Sequence, residues 1–145
     1  MRPSSSGRER TADIRTALQA TMDANAAVYR TEATLKEALG DVRLLKERYS
    51  RVSIQDKGQR YNTDLLEAVE LGNLLDLAEV MAVSALARKE SRGGHYREDY
   101  PNRDDVNFMR HTMAYREVGA DGKDSVRLDY KPVVVTRYQP MERKY

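Results

Sequence analysis

The architecture of this protein follows from residues 62–90, which read NTDLLEAVELGNLLDLAEVMAVSALARKE. Apolar residues recur there at the spacing of an α-helix, namely Leu66, Val69, Leu74, Leu77, Met81 and Leu86. Further apolar residues fall outside that single stripe, namely Leu65, Leu71, Leu75, Val80 and Val83. Because a helix that is apolar on every side is typical of an interior position, we predict that this segment forms the central, most buried helix of a bundle.

The predicted central helix carries start and stop signals. Asn62 or Thr63 can cap its first turn with a side-chain oxygen. The basic residues 88–89 suit a last turn, because cations oppose the negative end of the helix dipole. The pair Gly93-Gly94 can adopt the positive φ that ends many helices. These signals predict a helix from about residue 62 to about residue 90.

Two further helices are predicted upstream of the central one. The first begins at Thr11, interpreted as its cap, and its apolar stripe is Ile14, Leu18, Met22 and Ala26. The second begins at Thr31, and one face carries Leu35, Leu39, Val42, Leu45 and Tyr49. Gly40 inside it costs about 1 kcal/mol relative to alanine without breaking the helix. The polar residues 50–61 connect the second helix to the central one. Together these patterns predict a spectrin-like, up-down-up three-helix bundle.

The apolar period changes from helical to alternating beyond Pro101. Met113 and Tyr115 alternate with polar residues, and so do Val126, Leu128 and Tyr130 after the turn signal Asp121-Gly122. Pro132 limits the residues after it to an edge strand or an extended tail. The sequence therefore predicts a mainly α fold with a small C-terminal β-hairpin and an extended tail. The predicted parts are a flexible N-terminal tail (1–10), a helical bundle with an Arg-rich loop (11–110), and the hairpin with its tail (111–145).

The composition excludes several kinds of site. The 145 residues suit one domain, and the absence of cysteine rules out disulfides, thiolate metal sites and iron–sulfur ligation. With 25 basic and 23 acidic residues the net charge is only +2. Nucleic-acid binding proteins usually carry a clustered basic excess, so we expect no nucleic-acid partner. We also expect no direct membrane span, because no segment approaches about 20 apolar residues.

Sequence motifs for catalysis are missing as well. The sequence contains neither the Gly-x-Gly-x-x-Gly fingerprint of dinucleotide binding nor a phosphate-binding P-loop. His95 and His111 are the only histidines, so a zinc site would need two carboxylate ligands in addition. We therefore assign no catalytic, cofactor-binding or metal-binding residue to this chain, and we predict that it holds no cofactor of its own.

The densest cluster of charge lies in residues 88–105, where five basic residues face five acids. One interpretation is an ion-pair network that ties this loop to the bundle. The other is a recognition loop, whose arginines and histidine offer hydrogen-bond donors to carboxylates, carbonyls or a bound phosphate of a partner. Both can hold at once. The donors concerned are Arg92, His95, Arg97 and Arg103.

Tyrosine accompanies these arginines in the last third of the chain. Nine of the ten aromatic residues are tyrosine, and six of them lie there: Tyr96, Tyr100, Tyr115, Tyr130, Tyr138 and Tyr145. Tyrosine and arginine are enriched at protein interfaces, because the large tyrosine ring is apolar and its hydroxyl can still find a polar partner. We therefore add Tyr96 and Tyr100 to the candidate interface residues.

The same loop carries a family resemblance. Residues 88–101, RKESRGGHYREDYP, resemble the signature near the C-terminus of succinate dehydrogenase and fumarate reductase flavoprotein subunits. Shorter pieces agree in the same order, namely MDAN at 22–25, RTE at 30–32, ELGNL at 70–74, DDVNF at 104–108, RHTMAY at 110–115 and RKY at 143–145. The resemblance extends over nearly the whole chain from about Thr11.

This resemblance implies that the chain corresponds to the C-terminal helical domain of such a subunit. The parent subunit would interconvert succinate and fumarate with covalently attached FAD and pass electrons to an iron–sulfur subunit. It would lie in the cytoplasm at the inner face of the membrane, through the parent complex. The flavin-binding and substrate-binding residues of the family belong to upstream domains that have no counterpart in this sequence, so we expect the chain to be inactive alone.

A docking role is what the resemblance transfers to this chain. In similar proteins the helical domain packs on the flavin-binding domain of the same subunit, so we predict that Arg92, His95 and Arg97 order that interface. Charge reversal at Arg97 is then expected to weaken docking without unfolding the bundle. The alternative is a free-standing helical module that derives from such a subunit and binds another protein.

Overall fold

A computed structural model describes residues 9–119 and 124–141 of the chain. Its elements are α1 (Thr11–Asn25), α2 (Glu32–Tyr49), α3 (Thr63–Ala87), α4 (Asp105–Phe108), β1 (Arg110–Val118) and β2 (Asp124–Pro132). The prediction of three long helices followed by a β-hairpin is confirmed. The predicted Asp121-Gly122 turn and residues 1–8 of the predicted tail lie outside the described residues.

The chain divides into two units, which are described separately. The helical unit extends to Arg103 and the hairpin unit begins at Asp104, a boundary that lies before the one expected at residues 110–111. Glu9, which the sequence assigns to a flexible tail, is part of the helical unit. Its backbone pairs with Val52, and its carboxylate binds Arg48 at 2.9 Å.

The core of the helical unit lies between α1, α2 and α3. Its buried residues are Ile14, Leu18, Val42, Leu45, Val52, Ile54, Ala68, Leu71, Leu75 and Ala78. A second, smaller cluster contains Ala26, Leu35, Ala38 and Ala85. Alanines supply much of what α3 buries, and such short side chains let neighbouring helices approach closely. The bundle therefore depends on close helix packing as well as on large apolar residues.

The prediction that the large apolar stripe of α3 is buried is wrong. Leu66, Val69, Leu74, Leu77 and Met81 are exposed. The opposite side of the helix is buried instead, through Ala68, Leu71, Leu75, Ala78, Ala82 and Ala85. Periodicity identified apolar residues all round the helix, and the structure shows that the face with more alanine is the one that packs.

Two of the predicted helix starts are confirmed and one is wrong. The Thr31 hydroxyl accepts the backbone N–H of Thr34 to cap α2, and the Asn62 side chain accepts the backbone N–H of Leu65 to cap α3. Thr11 is not a cap, because it is the first residue of α1 and Arg10 stands at the cap position without a side-chain hydrogen bond.

The end of α3 also differs from the prediction. The helix stops at Ala87, and residues 88–90, which were expected in its last turn, have left it. Arg88 is already extended, and the side chain of Glu90 is fully buried under two arginines. Gly93, at φ 60°, makes the tight turn in which Arg92 pairs with His95 rather than ending the helix.

Two helical glycines give opposite predictions for substitution by alanine. A Cβ at Gly72 would lie 2.7 Å from the hydroxyl of Tyr49, which donates to the carbonyl of Ala68. Gly72→Ala should therefore destabilise the helical unit by about 1–3 kcal/mol, since the ring must move and its hydrogen bond is lost. A Cβ at Gly40 has nothing within 4 Å, so Gly40→Ala should stabilise it by up to about 1 kcal/mol. Urea denaturation of both variants checks the pair, and equal effects would contradict it.

The hairpin unit begins with a short helix and continues into two antiparallel strands. Asp104 caps α4 by accepting the backbone N–H groups of Val106 and Asn107. The strands pair from Arg110↔Pro132 to Val118↔Asp124, and the guanidinium of Arg110 lies 3.7 Å from the ring centre of Tyr130. Among the described residues, no helix is both long and apolar enough to cross a membrane.

Candidate functional site

The loop at residues 88–103 is built around a buried carboxylate. Glu90 is fully buried and accepts hydrogen bonds from Arg88 and Arg92. The guanidinium of Arg92 reaches both carboxylate oxygens, at 2.8 and 3.0 Å. An unpaired buried carboxylate would be very costly, so these arginines are held inside the loop by the charge that they neutralise.

Arg97 connects this loop to the helices. Its side chain is fully buried and binds both oxygens of Asp99 at 2.7 Å. It also donates to the carbonyl oxygens of Ala85 at 3.0 Å and Leu86 at 3.3 Å. Those carbonyls lie at the C-terminal end of α3, where the helix dipole favours a cation.

Asp99 extends the connection to α2. Its carboxylate accepts the backbone N–H of Glu32 at 2.9 Å, at the start of that helix. Hydrogen bonds from the Arg97 guanidinium, supported by this backbone donor, lower the pKa of Asp99 to about 2. This ion pair, in which the Arg97 side chain is fully buried and the Asp99 side chain is partly exposed, therefore connects the end of α3, the loop and the beginning of α2.

Arg97 therefore has a structural role, and its burial changes what we expect of a substitution there. Charge reversal at Arg97 was expected to leave the bundle folded. A glutamate at this buried position would place a second negative charge beside Asp99 and the carbonyl oxygens of Ala85 and Leu86, where it is repelled. The substitution should unfold the loop before it reports on any partner.

The side chain of His95 connects its own loop to a residue before α2 and to the end of α3 by hydrogen bonds. Arg30, before α2, donates to its Nδ1 at 3.1 Å, so that Nδ1 is the acceptor and the proton is on Nε2. Nε2 then donates to the carbonyl of Arg88 at 3.2 Å. Burial lowers the pKa of His95, and the charges of Arg30, Arg97 and Arg88 lower it further, against the opposing effect of the Arg88 carbonyl.

This geometry predicts a pH dependence of stability. Because the folded-state pKa of His95 is lowered, the unfolded chain takes up the proton first as the pH falls. The free energy of unfolding should be highest above about pH 6.5 and should decrease as the pH falls towards 5. Urea denaturation at a series of pH values measures it. His95→Gln should reduce this slope, whereas His111→Gln, at an exposed site in the hairpin unit, should not. Equal slopes in all three proteins would contradict the assignment.

The six predicted interface residues do not form one exposed patch. Arg92, His95, Arg97 and Tyr100 are wholly or partly buried, with the Arg97 guanidinium 5.1 Å from the ring centre of Tyr100. Arg103 and Tyr96 are exposed. Four of the six thus belong to the network that ties the loop to the bundle, and their role in docking stays a prediction.

Sequence reasoning missed three residues of this region. Glu90 is the buried centre of the loop, and Arg30 bonds to His95 and pairs its backbone with Arg97. Tyr29 packs edge to face on Tyr96, with ring centres 5.9 Å apart. The RTE motif at residues 30–32 could have pointed to Arg30. Both this motif and the loop that Arg30 contacts resemble the family.

Several large apolar residues on one side of α3 are exposed, and we name this set the outward face of α3. It consists of Leu66, Val69, Leu74, Leu77 and Met81, each between 41% and 63% exposed. At 1.5 Å per residue the strip is about 22 Å long. By its spacing Glu70, whose side chain is 55% exposed, lies on the same side of the helix. Exposed apolar residues grouped along one helix face make a candidate interaction site.

These features define a helical domain with a rigid, internally neutralised loop and one long uncovered apolar face. The family described as Fumarate reductase flavoprotein C-term matches residues 15–145 of the chain. The chain therefore belongs to this family, the C-terminal domain of succinate dehydrogenase and fumarate reductase flavoprotein subunits.

Curated relatives agree with the family match. The chain is 45% identical over 139 residues to the fumarate reductase flavoprotein subunit of Mycobacterium tuberculosis, which covers 96% of this chain and 23% of the relative. It is 46% identical over 132 residues to the succinate dehydrogenase flavoprotein subunit of Rickettsia bellii, covering 91% and 22%. The chain thus spans less than a quarter of the length of these relatives.

Solved structures share the fold. A mutant quinol fumarate reductase of E. coli superposes with a TM-score of 0.88 at 42% identity, over 96% of this chain and 23% of that one. The adenylylsulfate reductase of Archaeoglobus fulgidus gives a TM-score of 0.75 at 28% identity, over 87% and 20%. The fold of this chain therefore recurs in these two larger chains, where the matching region makes up 23% and 20% of the length.

Proposed function

We propose that this chain is a docking domain that packs on the flavin-binding part of a succinate dehydrogenase or fumarate reductase flavoprotein subunit. The observation that carries the proposal is the outward face of α3, which is apolar and uncovered. The matched relatives contain more than three quarters of a chain beyond the region that corresponds to this one. We propose that this additional part of the subunit is the partner that covers the exposed apolar residues of α3.

The energetics of the outward face of α3 support docking. Burying a large apolar side chain fully contributes about 1.5–3 kcal/mol. These five side chains are roughly half exposed, so completing their burial would contribute about 1 kcal/mol each. The sum is enough to hold two parts of one subunit together, where little translational freedom is lost on association.

The chemistry of the assembled subunit would come from the other part. We propose that it interconverts succinate and fumarate with covalently bound FAD and passes electrons to an iron–sulfur subunit. The complex would lie in the cytoplasm, at the inner face of the membrane. The present sequence offers no Gly-x-Gly-x-x-Gly cradle for FAD, and the best-formed polar cluster near its loop is neutralised internally. The residues of this chain therefore do not suit FAD, and its contribution is to hold the flavin-binding part in shape.

The second candidate is a free-standing helical module that binds another protein. It uses the same apolar face and the exposed pair Tyr29 and Tyr96. Under this proposal the affinity for a flavin-binding partner has been lost, although the fold of the domain is kept. The two proposals therefore differ in whether this chain binds a flavin-binding partner, which can be measured.

A chimera tests the two proposals. The corresponding region of the M. tuberculosis fumarate reductase flavoprotein subunit is replaced by residues 15–145 of this chain, and a matched deletion lacks that region altogether. The docking proposal expects the chimera to retain flavin absorbance and to reduce fumarate, whereas the deletion does neither. A chimera that behaves like the deletion, from a chain that folds well alone, would favour the free-standing module.

A further inference from the structure

Tyr61 is the most exposed large hydrophobic residue of those described, and its backbone is in an unusual conformation. Its relative exposure is 99%, and its φ of 53° lies in the left-handed region. A bulky side chain at positive φ is a genuine outlier, because its Cβ crowds the backbone. Among described residues other than glycine, Tyr61 alone has a positive φ.

The surrounding loop holds Tyr61 in this conformation. The next residue, Asn62, donates from Nδ2 to the carbonyls of Asp56 and Gly58, both at 2.9 Å, while its Oδ1 caps α3. The carboxylate of Asp64 accepts the backbone N–H of Gln55 at 2.6 Å. The connection is therefore closed on both sides of Tyr61 by hydrogen bonds that do not involve its ring.

The ring does not stabilise the helix start that it precedes. An apolar residue before a helix cap commonly packs on the fourth residue of the helix, which is Leu66 here. That contact is missing, since the Tyr61 side chain is almost fully exposed and Leu66 is 57% exposed. The loop accounts for the backbone conformation of Tyr61, but no contact described within the chain accounts for an aromatic side chain at this exposed position.

The position of Tyr61 supplies the explanation. It directly precedes α3, on which the exposed apolar residues begin with Leu65 and Leu66 and continue along the outward face of α3. Tyrosine is among the residues that most often dominate binding energy at interfaces, usually by filling a pocket of the partner. The ring thus lies close in sequence to the end of α3 at which the exposed apolar residues begin.

We propose that Tyr61 is the anchor of this docking surface and inserts its ring into an apolar pocket of the flavin-binding part of the flavoprotein subunit. This inference rests on the proposed function. The occupant is the remaining part of the same subunit, because the relatives carry that additional chain and the exposed apolar residues of α3, which Tyr61 precedes in the sequence, require an apolar partner. A pre-ordered anchor loses little side-chain freedom on docking, which justifies a strained backbone at this site.

Substitution by glycine separates the anchor from a structural role. Glycine suits a φ of 53° better than tyrosine does, so Tyr61→Gly should leave the melting temperature of the isolated 145-residue chain unchanged or raise it. In the chimera of the previous subsection, the same substitution should make loss of fumarate-reducing activity at a fixed raised temperature at least tenfold faster. Tyr61→Asn, which also tolerates this conformation, should have the same effect, whereas Tyr61→Phe keeps the ring and should stay within threefold of the unsubstituted chimera.

The outcomes are distinguishable from failure of the proposed function. If the chimera is active and Leu77→Glu inactivates it rapidly while Tyr61→Gly does not, the anchor is overturned and docking through α3 stands. If Tyr61→Gly lowers the melting temperature of the isolated chain, the ring stabilises the fold and the anchor is again overturned. A chimera without any activity would overturn the proposed function and the anchor together.

Discussion

Replacing Arg97 with alanine should lower the free energy of unfolding of the helical unit by about 2–4 kcal/mol, because removal of a fully buried side chain leaves a cavity and takes a donor from two backbone carbonyls. The guanidinium is fully buried, and its loss takes a donor from the carbonyls of Ala85 and Leu86. Asp99 loses its cation and keeps the backbone N–H of Glu32. Since small domains are stable by only about 5–15 kcal/mol, this substitution should remove a large part of the total.

Urea denaturation followed by circular dichroism measures the loss. Lys89→Ala is the matched control, because Lys89 is a cation of the same loop that is exposed to solvent, and it should change stability by less than about 0.5 kcal/mol. Arg97→Lys should fall between the two, since an ammonium cannot bind both oxygens of Asp99 at once. Equal effects of Arg97→Ala and Lys89→Ala would show that the pair does not hold the loop.

Acid provides an independent check on the same ion pair. The pKa of Asp99 is lowered from 3.8 to about 2 in the folded chain, so its carboxylate contributes stability above about pH 4. That contribution should be lost as the pH falls from about 4 towards 2, because the unfolded chain takes up the proton first. In the Arg97→Ala variant this part of the acid dependence should be much smaller.

The helices and the hairpin could be predicted because local signals define them. Thr31 and Asn62 are good cap residues, and alternation around Met113 and Leu128 matches paired strands. These signals act over a few neighbouring residues and are visible in the sequence. The end of α3 at Ala87 could not be found in this way, because it depends on the burial of Glu90 by arginines on both sides of it.

The buried face of α3 could not be predicted for a different reason. Large apolar residues are usually taken as core, yet in α3 they are divided between two opposite faces. One face buries Leu71 and Leu75 with alanines, and the other exposes leucines such as Leu66 and Leu77. Periodicity detects apolar residues on both sides and cannot tell which side meets α1 and α2. The same limit applies to Arg97, since the loop sequence does not distinguish a buried arginine from an exposed one.

Replacing Leu77 with glutamate should abolish docking while leaving the isolated domain folded. Leu77 is 63% exposed near the middle of the outward face of α3, so a charged side chain there meets water in the isolated chain. In the assembled subunit that charge would be buried against an apolar partner, which costs several kcal/mol. We expect the chimera with Leu77→Glu to lose fumarate-reducing activity at a fixed raised temperature more than a hundredfold faster than the unsubstituted chimera.

Leu44→Glu is the matched control for this prediction. Leu44 is 55% exposed on α2 and does not belong to the outward face of α3, so the same chemical change tests whether position matters. In the isolated chain both variants should keep the free energy of unfolding within about 1 kcal/mol of the original, because neither side chain is in the core. In the chimera only Leu77→Glu should accelerate inactivation. If both substitutions accelerated inactivation of the chimera equally, the docking surface would have to include α2. The prediction that docking depends on the outward face of α3 would then be wrong.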